Sequence, residues 1–384
     1  MIKILRNIFS VKNENNHKIW TILGIKLKFK SIYLMLSDIK KQANIISENI
    51  SEIKNSAYKL GNDMHQLTGK KNLLWQGIMD TCPNSFKDYI LTHNISEEIS
   101  ILKRNLDEES LKILDNTLKK IIHLPDYSYS RYLYIDENEF KLAFQTENDR
   151  KFEKLRDECN FNLRNKYKLS QDNYDMEVFI YHHGLKFANQ KIKDYVKNKV
   201  FIDAGAYIGD SALVFMDYEP KQIISFEISN SHYENYLKTM ELNKIPDNKY
   251  TLVKLALSNK SEDVNVVDDG GMGIKIYNND GYKLKSTSLD DFLKDKECNV
   301  GFIKADIEGA MYKALIGMQE TIKKHRPVLS LAIYHSPEEF FKTKPLLEEI
   351  TKDLNYKIEI DCHFSQCFHI YGTIIWAYPK ELED

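Results

Sequence analysis

No run in this sequence approaches the roughly 18–20 apolar residues of a membrane span, so a helical membrane protein finds no support in it. The opening "MIKILRNIFSVKNENN" has a short apolar run and no small-residue cleavage pattern, and it does not read as a signal peptide. Charge of one sign is also missing. There are 54 basic and 56 acidic residues, a net charge of −2, which argues against a broad nucleic-acid footprint and leaves room for a local basic patch. No C-x-x-C pair occurs, and the five cysteines (Cys82, Cys159, Cys298, Cys362 and Cys367) are odd in number. Reduced thiols in a reducing compartment follow, without a disulfide framework or a zinc ribbon. Cys362 and Cys367 flank His363, with His369 nearby, so this stretch holds either paired strand positions or a metal site. The simplest location is cytoplasmic.

What is present suits a globular chain. Its 384 residues are 42% hydrophobic and 29% charged, enough for a real core and for two to three domains. Residues 17–30, "HKIWTILGIKLKFK", alternate around Gly24 and predict a β-hairpin, so 1–30 is a first segment. A second, 31–70, lacks proline. Apolar or small residues recur there in steps of three and four from Ile32 through Ile46 and Ile53 to Leu67. That spacing predicts one long helix, either a coiled-coil seam joining chains into a homo-oligomer or an amphipathic helix packed on its own chain.

A third region, 71–198, reads as mostly helical, an accessory or substrate region, with strand-like material at "YSRYLYIDENEFKLAF". Its adjacent His182 and His183 would point in different directions on a helix, which predicts one structural and one exposed ring. If the segment lies over a cleft, one of them can touch a substrate.

From Lys199 to the end the pattern becomes regular. Strand-like runs at 200–204, 222–227, 250–257, 300–306 and 326–335 alternate with helical spacing, and two more follow at 356–361 and 369–378. Such alternation predicts a parallel sheet with helices on both faces. The short link between the last two runs predicts an antiparallel hairpin at the edge. Capping boxes stand at Ser231-x-x-Glu234, Ser288-x-x-Asp291 and Ser336-Pro-x-Glu339. Residues 259–288 read as an insertion of short strands and turns.

The first of these runs continues into "VFIDAGAYIGDSALVF" (Val200 to Phe215). Doubly wound sheets bind ligands at the carboxyl ends of their strands. Gly205 suits a tight turn and a closely approaching ligand, and Gly209 suits the opening of a helix. Position 207 is Tyr, so the dinucleotide fingerprint G-x-G-x-x-G fails, and no G-x-x-x-x-G-K-[ST] occurs. Asp203 would repel a pyrophosphate and suits a ligand with an ammonium group, as S-adenosylmethionine has. Glu227, twenty-four positions on, ends the second strand, where an acid can accept both ribose hydroxyls.

With "STSLDDF", "GFIKADIEGAMYKALIGMQETI" and "RPVLSLAIYH", this stretch resembles the FkbM family of S-adenosylmethionine-dependent methyltransferases, over about 199–379. The D-x-E-G block of Asp306, Glu308 and Gly309 is the most specific part. The resemblance implies a Rossmann-like, seven-stranded class I methyltransferase sheet with an antiparallel last strand in a domain spanning 199–384. It also implies O-methylation of a hydroxyl on a sugar, a glycan or a natural product. Cofactor contacts are expected at Asp203, Gly205, Ala206, Tyr207, Gly209, Asp210, Ser211, Glu227, Ala256, Leu257 and Asp306. The short opening of the chain is similar to those of some bacterial surface-glycan assembly proteins, pointing to capsule or lipooligosaccharide acceptors.

Transfer to an alcohol needs alignment and a proton acceptor. His335 is the expected base by intrinsic pKa, with Asp306 and Glu308 orienting it or binding hydroxyls, and Lys304 on the same strand face as Asp306. Asp306, Glu308 and His335 can alternatively hold Mg²⁺ or Mn²⁺. Asp306 can instead only contact the cofactor, and Glu308 only cap a helix starting at Gly309. Tyr207 and Tyr334 are stacking or core aromatics. Rival readings are a phosphoryl-linked or other small-molecule acceptor, and a non-catalytic scaffold.

Overall fold

A computed structural model describes residues 9–14, 17–22, 25–30, 83–123, 163–267, 275–277, 282–362 and 372–383. The chain divides into two compact units, 1–73 with 129–133, and 74–128 with 134–384. In the first unit, β1 (Phe9–Glu14), β2 (His17–Ile22) and β3 (Ile25–Lys30) form an antiparallel meander, so the expected hairpin gains a preceding strand. The predicted helix of 32–67 and its coiled-coil seam lie outside the described residues, as do the strand-like run 129–144, Cys367, His363 and His369.

The second unit is built on a seven-stranded sheet. Its strands are β4 (Val200–Ala204), β5 (Gln222–Phe226), β6 (Tyr250–Val253), β11 (Val300–Ala305), β12 (Val328–Ala332), β13 (Tyr356–Cys362) and β14 (Thr373–Pro379), in the order β13-β14-β12-β11-β4-β5-β6. Pairing is parallel from β6 through β12, and β14 runs antiparallel between β12 and β13. The predicted terminal hairpin is therefore present, with its second strand tucked inside the edge.

Burial grades across this order as the sequence would have it. The mostly apolar runs of β4, β11, β12 and β14 are buried along their whole length, as strands covered on both faces are. The edge strands β6 and β13 are half-buried at most positions. Successive side chains alternate between two cores. Val200, Ile202 and Ala204 face one, and Phe201 with Phe302 faces the other.

Helices cover both faces. The helical spacing before residue 124 is met by α1 (Pro83–Thr92), α2 (Ile95–Lys103) and α3 (Glu108–His123). Asn105, at φ +60°, breaks the helix between α2 and α3. Leu102, Leu114 and Leu118 join the same core as the sheet, so these helices are part of the domain's own packing. Next come α4 (Met176–Phe179), a 3-10 turn at His182–Gly184, and α5 (Gln190–Val196). The crossovers carry α6 (Asp210–Phe215), α7 (Asn230–Leu242), α8 (Leu289–Leu293), α9 (Met311–Ile316), α10 (Gln319–His325) and α11 (Pro337–Thr351).

Two of the three predicted caps are observed: Ser288 accepts the Asp291 N–H at 3.0 Å and Ser336 that of Glu339 at 3.2 Å. The third shifts, because α7 is capped by Ser229, which accepts the His232 N–H at 3.2 Å. The run 250–257 is not one strand. After Val253 the chain leaves the sheet, and β7 (Ala256–Leu257) pairs with β10 (Tyr282–Thr287) in a four-stranded sheet with β8 (Asp263–Val267) and β9 (Lys275–Tyr277). Among the described residues no helix is long and apolar enough to cross a membrane.

Candidate active site

The carboxyl ends of β4, β5 and β11 open on a cavity. Beneath it a polar belt crosses the sheet in register. Asp203 on β4 stands beside Lys304 on β11 and Ser225 on β5. Lys304 Nζ lies 3.3 Å from Asp203 Oδ1 and donates to the Gly205 carbonyl at 2.6 Å. Both side chains are buried. Burial pushes the Asp203 carboxyl up even with Lys304 beside it, and Asp203, Asp306 and Asp210 outweigh burial to hold Lys304 above the usual lysine value. The pair tethers the glycine turn to the strand next door.

The turn itself is left-handed at Gly205 (φ +79°), Tyr207 (φ +46°) and Gly209 (φ +83°). A Cβ on Gly205 would stand 1.8 Å from the Asp306 carbonyl oxygen. The close approach that demands glycine there is therefore made by the protein's own D-x-E-G loop, not by a ligand as the sequence suggested. Gly209 is the N-cap of α6, where the sequence placed a helix opening.

Glu227 follows β5 as expected and lines the cavity. Three backbone N–H groups fix its carboxylate: Tyr207 to Oε2 at 2.8 Å, Ile228 to Oε1 at 2.7 Å and Ser229 to Oε1 at 2.8 Å. The Tyr207 ring meets His232 edge-on at 4.5 Å between centroids. Of the expected cofactor contacts, Gly205, Tyr207, Asp210, Ser211, Glu227, Ala256, Leu257 and Asp306 line the cavity. Asp203, Ala206 and Gly209 are not among the lining residues. Ala206 belongs to the core beneath α6, and Asp203 acts from below through Lys304.

The reacting-end residues do converge. His335 Nε2 lies 3.1 Å from Asp306 Oδ1 and 3.7 Å from Glu308 Oε2, and Tyr334 donates to Asp306 Oδ2 at 3.0 Å. Ligand atoms of Asp306, Glu308 and His335 all lie within 4.8 Å of one another. Lys304, Asp306, Glu308 and Tyr334 line the cavity, but His335 stands behind them. Burial would lower the histidine's pKa, but Asp306, Glu339 and Glu308 outweigh it and raise it well above the ordinary value. Asp306 is the mirror case: burial would raise it, and His335, Lys304 and the Tyr334 hydroxyl hold it below the usual carboxylate range. A ring whose pKa is raised holds its proton more tightly, which suits a cationic partner of Asp306 more than the neutral base expected from its intrinsic pKa. Glu308 caps no helix start at Gly309, because α9 begins at Met311.

Sequence reasoning missed Glu339. It was read as the partner in a capping box, and its N–H does serve Ser336. Its carboxylate, fully buried, instead accepts the Met311 N–H at 2.8 Å and lies 3.5 Å from His335 Nδ1. It also missed Asn173, Asp175 and Glu177, which line the cavity from the segment before β4. The double histidine was the one local signal. His182 and His183 sit in a 3-10 turn with positive φ, and both are buried, where one exposed ring was expected. His182 Nδ1 is 2.9 Å from the Tyr218 hydroxyl. His183 lines the cavity, its Nε2 2.8 Å from Ser211 Oγ and its Nδ1 3.3 Å from Glu177 Oε1.

Residues 203–358 match the Methyltransferase FkbM domain. This stretch runs from the end of β4 into β13 and contains the glycine turn, Glu227 and the D-x-E-G block, and it is a methyltransferase domain of that kind. Among solved structures, the chain is similar to a methyltransferase FkbM from Methylobacillus flagellatus KT (16% identity, 74% of this chain and 59% of that one, TM-score 0.47). It is also similar to an rRNA methylase from Streptococcus thermophilus (11% identity, 53% and 96%, TM-score 0.32). A third is Aeropyrum pernix fibrillarin with natively bound S-adenosyl-L-methionine (11% identity, 52% and 73%, TM-score 0.33). The chain spans about three fifths of the length of the first of these. Comparison with curated proteins gives no match.

Proposed function

We propose that the chain transfers a methyl group from S-adenosylmethionine to a hydroxyl of a carbohydrate: a sugar, a nucleotide-activated sugar or a surface glycan such as capsule or lipooligosaccharide. The observation that carries the donor half is the charge of the cavity. Asp175, Glu177, Asp210, Glu227, Asp306 and Glu308 line it, against Lys304, which Asp203 already neutralises from below. A dinucleotide pyrophosphate would be repelled there, whereas a ligand carrying ammonium and sulfonium charges is attracted. Glu227, immobilised by three N–H bonds, keeps further acceptor capacity for ribose hydroxyls. When bound, S-adenosylmethionine supplies a methyl group on a good leaving group. The protein's task is to align the acceptor oxygen and receive its proton. We place the nucleoside beside Glu227, Ala256 and Leu257, the methionine end over the Gly205 turn, and the acceptor toward Asp306, Glu308 and Tyr334.

Glu227→Ala should weaken S-adenosylmethionine binding by about 1–3 kcal/mol, read by calorimetry. Undiminished affinity would reject the placement of the ribose. A transfer assay with labelled donor across sugars, nucleotide-activated sugars and glycans identifies the acceptor, and sole activity on phosphoryl-linked acceptors would favour the second small-molecule reading. Donor binding without transfer to any acceptor would favour a scaffold.

The convergence of Asp306, Glu308 and His335 supports a second mechanism, in which these three residues would hold Mg²⁺ or Mn²⁺ and the ion would supply acidification of the hydroxyl. Loss of transfer on chelation, restored by the metal, would establish it. We further propose a cytoplasmic setting and homo-oligomerisation through residues 32–67. Replacing both Ile46 and Ile53 with Asp should then lower the assembled mass in light scattering.

A further inference from the structure

We propose that Asp175 takes the proton of the acceptor hydroxyl. This rests on the methyltransferase reading above, and it places the catalytic base on a segment that precedes β4 and lies outside the matched residues 203–358.

Asp175 lines the cavity with Tyr207, Asp306, Glu308 and Tyr334. It stands immediately before α4 and caps it: its carbonyl accepts the Phe179 N–H at 2.9 Å, and its Oδ1 accepts the Glu177 N–H at 2.7 Å. The cap fixes the side chain. A carboxylate offers about four acceptor positions, so capacity remains on a group that fronts the cavity.

The other candidate bases are committed. Glu227 holds three backbone N–H groups, and its remaining acceptor capacity is assigned to the ribose hydroxyls of the donor. Asp306 is bound by His335 and Tyr334, and Glu308 lies 3.7 Å from the same ring. Glu177 pairs with His183. Asp210 accepts the Ser211 N–H at the start of α6, on the glycine-turn side assigned to the donor. His335 has its pKa raised by its carboxylate neighbours and is not among the lining residues.

Burial raises two lining carboxyls toward neutrality, Asp175 and Asp210, the latter to about 7, and the place of Asp210 on the donor side leaves Asp175 on the acceptor side. Burial, then the Glu177 charge, with a further contribution from Asp306, pushes the Asp175 carboxyl up to about 6, against the N–H groups of Glu177 and Val178. Asp210 and Tyr207 add no positive charge, and Lys304, His183 and His232 are the basic groups that share the lining. Asp306, held below the usual range, is a weak base by comparison. A base titrating near the working pH is the more effective one.

In the step, the acceptor oxygen bonds to the methyl carbon as the carbon–sulfur bond breaks. That bond's electron pair stays on sulfur, leaving a neutral thioether. The hydroxyl proton ends on the Asp175 carboxylate, which releases it to water.

Asp175→Asn tests this, because asparagine caps a helix as well as aspartate does and cannot take the proton. kcat should fall by about 10²–10⁴-fold, with the thermal midpoint and the calorimetric affinity for S-adenosylmethionine unchanged. Wild-type kcat should rise with pH through the titration near 6, and the variant should lack that limb. An infrared pH titration of the ligand-free protein should show a carboxyl ionising near 6 that the variant has lost. Asp175→Glu separates base from cap: kcat above that of Asp175→Asn supports the proposal, and kcat at or below it assigns the residue to capping and overturns it. Wild-type kcat and pH course in Asp175→Asn also overturn it while leaving the methyltransferase reading intact. Wild-type protein that binds no S-adenosylmethionine and methylates no hydroxyl overturns that reading first, and the proposal with it.

Discussion

Lys304→Met is expected to destabilise the domain by about 3–5 kcal/mol, the usual cost of leaving a buried charge without its partner. Methionine fills the space of the lysine stem, so the loss reports the charge and not a void. Asp203 is fully buried, and its nearest remaining polar group is Ser225 Oγ, 3.5 Å from Oδ2. The variant's easiest escape is to protonate Asp203. The carboxyl's folded-state pKa then lies above its unfolded value of about 3.9, so the folded state binds the extra proton. Stability should be best at low pH and decline as pH rises from about 4 through the folded-state pKa.

Adding Asp203→Asn should restore most of the loss, because it removes the orphaned charge. Lys304→Met also unties the Gly205 carbonyl, to which Lys304 donates at 2.6 Å, so S-adenosylmethionine binding should fail even at pH values where the variant is folded. Urea unfolding of the single and double variants at pH 5 and pH 8 is the measurement. A loss under about 1 kcal/mol, with no pH dependence and no rescue, would show that the belt under the glycine turn is not a strong ion pair.

The parts of this site that could be read from sequence are those whose cause is local. A strand covered on both faces is mostly apolar, and "VFIDA", "VGFIKA" and "VLSLA", each with a single polar residue, announced β4, β11 and β12 in that way. The turn after the first strand announced its positive φ angles through Gly205 and Gly209. Elsewhere the local pattern was degenerate. Ser229 and Ser231 both suit an N-cap by residue type, and Ser229 is the one that accepts the His232 N–H. The run 250–257 has strand composition throughout, yet its end pairs with β10 in a different sheet. What was illegible depends on tertiary contact. Lys304 and Asp203 lie far apart in the chain and meet because β4 and β11 are neighbours. Glu339 satisfies a capping motif by its N–H and then uses its carboxylate on another helix and on His335. Asp175 and Glu177 sit in a stretch without a recognisable spacing, and the fold alone brings them to the cavity.

His335 illustrates how far burial can reverse an intrinsic property, and it carries the second large effect. The ring stands between Asp306 and Glu308 on its Nε2 side and fully buried Glu339 on its Nδ1 side. Its raised pKa means that the folded state binds the proton more tightly than the unfolded chain. The stabilisation is therefore fully present below the unfolded value of about 6.5 and is lost as pH rises through the folded-state pKa. The depressed Asp306 carboxyl contributes in the opposite sense, with stability present above about 3.9 and lost as pH falls through its folded-state pKa. Wild-type stability should then be highest between roughly pH 4 and 6.5 and decline on the alkaline side.

His335→Gln keeps much of the ring's volume and removes its charge. It should cost about 3–5 kcal/mol at pH 6.5, because Glu339 and Asp306 lose their cation, and it should abolish the alkaline decline. Turnover should fall by about 10²-fold, since Asp306 and Glu308 line the cavity from positions the ring sets. Glu339→Gln supplies the control: it leaves the lining untouched, lowers the pKa of the ring, and should move the alkaline decline to lower pH. Unfolding free energies at pH 5, 7 and 9 for the three proteins give the comparison. If His335→Gln matched the wild type in stability at every pH, the imidazolium would have no structural role. A base function for His335 would then regain its standing, to be sought as a rate that rises with pH through the histidine's own titration.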